Sequence, residues 1–215
     1  MSELGNATSS GLFGRLCSVM LAHRIACSRV WLATFLVLMA TTASMHEGQV
    51  LSGALLLLGV ILVGIATVGR VWCLLYISGY KDVQLVTSGP YSICRNPLYF
   101  FSLLGMAGVG FATETVTLGL LFPTVFLAGY VGVVRREEEK LRGQFGPHFD
   151  SYCRSTPRFM PHLASLSEPS TYEVSPRLFR RSLGDVVWFV WCVGLVQLVV
   201  TLHERGILPA VWRLP

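Results

Sequence analysis

Charge is scarce in this sequence: Asp, Glu, Lys and Arg make up 13% of its 215 residues, about half the share in an average soluble domain. Hydrophobic residues make up 53% and the mean hydropathy is +0.58. Water cannot cover such a surface, so an integral membrane protein is expected. Cysteine is sparse and dispersed: Cys17, Cys27, Cys73, Cys94, Cys153 and Cys192 form no CxxC pair. This pattern excludes a legible disulfide framework or thiolate metal centre, and the six read as reduced thiols with no metal ligand set assigned. The formal charge of +5 lacks a basic face with interleaved aromatics, which argues against nucleic acid. Its arginines instead flank apolar runs, as in Arg15, Arg24, Arg29, Arg135, Arg136, Arg177, Arg180 and Arg181, in the manner of cytoplasmic anchors. No small-residue cleavage site follows the first apolar run, which argues against a removed signal peptide.

What remains is a succession of apolar runs. They predict an all-α, polytopic membrane helix bundle of about five transmembrane helices with a cytoplasmic polar cofactor cap. Residues 1–29 read as a cytoplasmic amphipathic segment, and 30–76 as a transmembrane hairpin turning at His46–Gln49. Residues 77–161 form a core with spans at 98–112 and 116–134, the latter prolonged beyond the membrane by the helix formers of 135–145. Residues 162–185 read as a cytoplasmic linker and 186–215 as a last span and tail, with Gln197 the polar side chain inside that span. Pro147, Pro157, Pro161, Pro169 and Pro176 argue against long helices between the fourth and fifth spans, and Pro123 predicts a kink or a thinned hydrogen-bond ladder. Gly53, Gly59 and Gly64 offer small faces for close helix packing. Arg70, near the cytoplasmic end of its span, is expected to snorkel or to pair with a polar group. The basic flanks put the N-terminus in the cytoplasm and the C-terminus outside.

Two polar segments, 81–96 and 136–161, fall on the same predicted face. Glu137 and Leu141 share one helix face, and Glu138 points about a third of a turn away, so one glutamate can face a pocket while its neighbours meet water. Taken singly these residues are ordinary: the glutamates suit a helix end, Arg95 a charge anchor, Tyr91 and Tyr99 interfacial aromatics. Their order is more specific. Leu85–Tyr91 with its Gly89–Pro90 turn is followed by Arg95–Asn96–Pro97–Leu98–Tyr99. Then come Glu137–Glu138, Leu141, Phe145–Gly146, Tyr152 and Arg158–Phe159–Met160–Pro161.

In this order the chain resembles the isoprenylcysteine carboxyl methyltransferase and phospholipid methyltransferase superfamily, over Val83 to Pro161. The resemblance implies S-adenosylmethionine bound at the cytoplasmic side under a cap of polar chain. Val83, Gln84, Leu85 and Val86 then match the segment lining the cofactor, Gly89 the turn where backbone approaches it, and Tyr91 the aromatic after that glycine. Asn96, Pro97, Leu98 and Tyr99 match a tetrad that more commonly begins with histidine. Glu137 matches the cofactor-contacting glutamate and Glu138 its paired acid. Arg95 is assigned to the cofactor carboxylate or to one of the glutamates. Val133 stands where the prenylcysteine enzymes carry a substrate-binding arginine, a role left to Arg135 or Arg136. Arg95, Glu138 and Arg136 are thus the residues expected nearest the chemistry.

Methyl transfer from a sulfonium requires alignment and a matched electrostatic environment rather than a metal. The expected function is an S-adenosylmethionine-dependent methyltransferase acting on a lipid-like or amphiphilic acceptor, with membrane lipids as its surroundings. A membrane NADPH-dependent sterol or lipid reductase and a non-enzymatic membrane scaffold are the competing classes, distinguished by which cofactor binds.

Overall fold

The structure, a computed structural model, describes residues 37–45, 48–80 and 83–215. The amphipathic segment 1–29, most of the first predicted span and the pair His46–Glu47 lie outside the described residues. Helix α1 is Val50–Ile77, and a four-residue turn of helix, α2, is Pro90–Ile93. Helices α3 (Pro97–Phe111) and α4 (Val116–Phe145) follow as an antiparallel pair, then the short α5 (Pro147–Ser155) and finally α6 (Pro176–Glu204). Helices α1, α4 and α6 are long and apolar enough to cross a membrane, and α3 is a shorter apolar helix. Apolar side chains remain exposed along the long helices, among them Leu57, Val68, Leu120, Leu198 and Trp191. In lipid these are satisfied surfaces, so the chain is a membrane protein whose outer face is hydrocarbon-compatible.

Helix α3 is the inner element, packed against both α1 and α4, while α6 closes over α1 and α3. Small residues set its distance from α1. A Cβ on Gly59 would lie 2.7 Å from the Ala112 nitrogen and the Gly108 oxygen, and one on Gly108 would lie 2.7 Å from the Gly59 oxygen. Gly69 and Gly105 accommodate the Phe101 and Phe189 rings. Gly53 and Gly64, alike in sequence, face open space. A core of Val63, Met106, Val109, Leu118, Phe122, Phe189 and Val196 fills the junction of the four helices.

Two features differ from expectation. The chain is not purely helical: Thr42–Ser44 (β1) and Trp212–Leu214 (β2) pair in parallel, with Thr42 opposite Trp212 and Ser44 opposite Leu214. Short strands here satisfy backbone groups at an end of the bundle where neither segment continues as helix. In addition, α6 begins at Pro176, ten residues before the predicted start of the last span, so only part of 162–185 is linker. The prolines mislead because Pro176 occupies the first helical turn, where its missing N–H costs nothing and its fixed φ suits the helix. Pro123 likewise lies inside α4 without ending it, and α4 runs unbroken to Phe145, as its helix formers predict.

Candidate active site at the polar end of the bundle

Glu138 lies 22 residues after Val116 in α4, about 33 Å along the axis, roughly the thickness of a hydrocarbon core. At that level the two polar segments meet. The Glu138 carboxylate is buried at 4% exposure. Arg158 Nη2 donates to its Oε2 at 2.7 Å and Arg158 Nε at 3.1 Å. Asn96 Nδ2 donates to Oε1 at 3.3 Å, and Arg95 Nη1 stands 3.4 Å from the same oxygen. One carboxylate therefore ties together α4, the turn before α3 and the chain after α5. A buried carboxylate is tolerable only when charged donors surround it in this way.

Asn96 occupies the position before Pro97, where φ −124° and ψ 52° keep it out of the helix, and Pro97 starts α3. Its amide also donates to the Arg158 carbonyl at 3.0 Å. An asparagine can serve both acceptors at once without titrating near neutrality. Arg95 completes its contacts with Cys153 Sγ at 2.8 Å, while its Nε is buried without a hydrogen-bond partner among the described residues.

The neighbouring face is formed by Tyr99, whose hydroxyl donates to Glu137 Oε2 at 2.7 Å. The Tyr99 ring lies 4.8 Å from that of Tyr130, which in turn stacks on Phe126 at 4.0 Å. Glu137 is half-buried, and Tyr99 supplies the hydrogen bond the structure gives it among the described residues. Beside this group is a cavity of about 190 Å³ with apolar walls from Leu127, Tyr130, Val131 and Val134 and a rim of Arg158 and Phe159. Charged and hydrogen-bonding groups thus adjoin a hydrophobic recess at the membrane boundary.

The glycine turn is built by contact as well as conformation. Gly89 has φ 59° and ψ −130°, a backbone that side-chain-bearing residues rarely adopt, and a Cβ there would lie 2.4 Å from the Tyr76 ring. Tyr91 and Ile93 are buried just beyond it, and the Tyr91 carbonyl accepts the Tyr152 hydroxyl at 2.6 Å. Burial pushes the phenols of Tyr91 and Tyr152 well above their usual titration range, so both stay protonated donors. The segment after α5 straps across this turn: Arg95 N–H donates to the Pro157 carbonyl, His162 N–H to that of Ile93, and Gly89 N–H to that of Ser167.

Of the residues expected at the site, Arg95, Asn96, Tyr99, Glu137 and Glu138 come together. Pro97 positions them, and Gly89 and Tyr91 form the adjoining floor. Val86 and Leu98 pack on the cluster of Cys73, Tyr76 and Tyr91 behind the site. Leu85 is half-buried on the same loop. Val83 and Gln84 are exposed on the turn after Tyr80 and make no hydrogen bond to the cluster among the described residues. Arg136, expected near the chemistry as a candidate substrate-binding arginine, is exposed on α4, and it is Arg158 that pairs with Glu138. Arg158 was legible as part of the terminal Arg–Phe–Met–Pro motif, but a separation of 20 positions along the chain hid its partner. Cys94 and Cys153 were likewise missed, since lone cysteines give no signal.

Cys94 offers a direct check of this packing. Its thiol is buried, donates to the Phe159 carbonyl at 3.1 Å, and is pushed up to about 11 by burial. At pH 8 its thiolate is scarce, and Cys94 is expected to alkylate about a hundredfold more slowly than a free cysteine peptide. Peptide mapping after timed iodoacetamide treatment of the folded protein measures this. Labelling at the free-peptide rate would show that the strap does not cover the thiol.

An apolar helical bundle with a buried acid–arginine–asparagine cluster at one polar end defines a membrane protein whose chemistry is concentrated at the interface. The chain matches the phospholipid methyltransferase family over residues 28–148, a stretch holding Arg95–Tyr99 and Glu137–Glu138, and it belongs to that family of membrane methyltransferases. It is 41% identical over 200 residues to the nickel-cobalt-cadmium resistance protein NccN of Alcaligenes xylosoxydans xylosoxydans, with 93% of each chain covered. It is 39% identical over 210 residues to the cobalt-zinc-cadmium resistance protein CzcN of Cupriavidus metallidurans, covering 98% of this chain and 97% of the relative. No solved structure matches the chain significantly. Among the described residues no group of three or more His, Cys, Asp or Glu side chains is placed to hold a metal ion.

Proposed function

We propose that this protein is an S-adenosylmethionine-dependent methyltransferase that modifies an amphiphilic, lipid-like acceptor at the membrane surface. The observation that carries the reading is the meeting of Arg95–Tyr99 with Glu137–Glu138 beside an apolar recess at the polar end of the bundle. The donor set fits the cofactor. Arg95 has a buried, unpartnered Nε suited to a carboxylate, and the half-buried Glu137 suits amino or ribose hydroxyl donors. When bound, the cofactor supplies an electrophilic methyl group.

The chain's own contribution is positioning. Glu138 fixes Arg95, Asn96 and Arg158 in one geometry, so the polar groups require little reorganisation. Tyr99 fixes the Glu137 carboxylate, and the Tyr130–Phe126 stack holds the Tyr99 ring. The recess lined by Leu127, Val131 and Val134 offers an acceptor's apolar part a place beside these groups. Its arginine rim, Arg135 and Arg158, takes the substrate-binding role that the resemblance left to Arg135 or Arg136. The printed names of the relatives concern resistance to nickel, cobalt, cadmium and zinc. The reading brings that physiology to this chain through methylation of a membrane component.

Titration calorimetry of the folded, detergent-solubilised protein with S-adenosylmethionine tests the reading. Binding is expected, and its absence would remove the cofactor assignment. Glu137→Ala is expected to weaken that affinity about tenfold, the loss of one hydrogen bond to a charged group, with folding intact. Unchanged affinity would reject Glu137 as a contact. A labelled-methyl assay against fractionated membrane lipids and hydrophobic thiols then identifies the acceptor. Preferential binding of NADPH would favour a reductase instead.

A further inference from the structure

A second cavity, of about 510 Å³, opens between α1, the start of α3 and the first turns of α6, and shares no lining residue with the recess beside the Glu138 cluster. Its polar lining is Arg70, Ser78, Arg181 and Asp185, and its apolar walls come from Leu74, Leu98 and Leu178. Arg70 is seven residues short of the end of α1, about 10 Å into the span. A guanidinium at that depth is costly unless its donors are satisfied. It donates from Nη1 to the Ser102 hydroxyl and from Nη2 to the Asp185 carbonyl at 3.2 Å, and it stands 5.4 Å from the centre of the Phe189 ring. Neutral acceptors and a ring compensate part of its charge, but its Nε is buried with no hydrogen-bond partner among the described residues. The buried Ser78 hydroxyl is in the same condition. Two of the three buried, unpartnered side-chain atoms among the described residues therefore belong to residues that line this one cavity, the third being Arg95 Nε at the candidate active site.

The cavity carries two arginines against one aspartate, and its polar donors share the space with leucine walls. Arg177 and Arg180 add positive charge on the first turns of the same helix, whose N-terminal turn bears no acidic residue. A free small anion would leave the apolar walls unfilled, and a neutral lipid would leave the guanidiniums unmatched. We propose that this cavity binds a phospholipid of net negative headgroup charge, with the phosphate on Arg70 and Arg181 and the chain along Leu74, Leu98 and Leu178. The site draws on α6, beyond the stretch matched to the methyltransferase family. Apart from Leu98, which the resemblance also places in the cofactor tetrad, its lining shares no residue with the cofactor reading, and lipid retention is read without the cofactor.

Native mass spectrometry of the full chain, released from detergent after exposure to equimolar phosphatidylglycerol and phosphatidylcholine with the same acyl chains, tests the proposal. Retention of one phosphatidylglycerol is expected in preference to phosphatidylcholine by about fivefold, the value of one arginine near an anionic headgroup. Arg181→Gln, at an exposed rim position, is expected to reduce that preference to about twofold without affecting folding. Arg70→Gln is expected to abolish it. Equal retention of both lipids would overturn the proposal, and so would a preference unchanged in folded Arg181→Gln protein. Inorganic phosphate at the same concentration is expected neither to give a stable adduct nor to displace the lipid. Displacement would mark a free-anion site and reject the amphiphile.

Discussion

Replacing Glu138 with alanine is expected to destabilise the detergent-solubilised protein by about 3 kcal/mol, the lower part of the range for breaking a buried ion pair. The lower part is appropriate because the Arg158 side chain is 53% exposed and regains water, whereas Arg95 is only 13% exposed and does not. Asn96 simultaneously loses the carboxylate oxygen it donates to. Glu139→Ala, one residue along on the exposed face, is expected to change stability by no more than about 0.5 kcal/mol. Equilibrium unfolding in denaturant measures both. Because Glu138 orders the segment on which the proposed cofactor contacts lie, its loss is also expected to abolish methyl transfer. Glu138→Gln separates the two effects: the amide retains an acceptor for Asn96 but removes the charge that holds both arginines. Equal stability of Glu138→Ala and Glu139→Ala would mean that the cluster does not hold the strap to the bundle.

The second large effect is expected at Gly59. Valine there cannot be accommodated by a side-chain rotation, because the atoms 2.7 Å from a Cβ are the backbone nitrogen of Ala112 and the backbone oxygen of Gly108. Helices α1 and α3 would have to separate, opening the core around Val63, Met106 and Val109. Overpacking of this kind costs about 1–3 kcal/mol when side chains yield, and backbone yields less, so Gly59→Val is expected to prevent recovery of folded protein. Gly59→Ala should lower stability by about 2 kcal/mol. Gly64→Ala is expected to leave stability unchanged or raise it slightly, since nothing lies within 4 Å and alanine favours helix. The yield of folded Gly59→Val protein and thermal unfolding of the two alanine variants provide the comparison. If Gly59→Ala and Gly64→Ala behave alike, the α1–α3 contact is not the close approach described.

These glycines illustrate how far the sequence could be read. Gly53, Gly59 and Gly64 are equivalent as text, and only the direction from which α3 approaches distinguishes them. Hydrophobic runs marked α1, α4 and α6 because burial in lipid demands continuous apolar length, a one-dimensional property. Glu137–Glu138 and Arg95–Tyr99 were legible through their order. Which acid turns inward was not, since that depends on the rotation of α4. Arg158 closes on Glu138 from beyond a separate helix, and Cys153 reaches Arg95 by the same route. The start of α6 was misread because a proline was taken as a stop where the geometry makes it a start. The parallel strand pair had no signal, three residues being too few for a period.

That strand pair has a consequence for how the molecule is assembled. Thr42–Ser44 are synthesised about 170 residues before Trp212–Leu214, and their backbone partners do not exist until α6 has entered the bilayer. The pairing is the longest-range strand closure among the described residues, so a high loop-closure cost delays it relative to local contacts. A chain halted before α6 would therefore leave the backbone groups of Thr42–Ser44 without their strand partners.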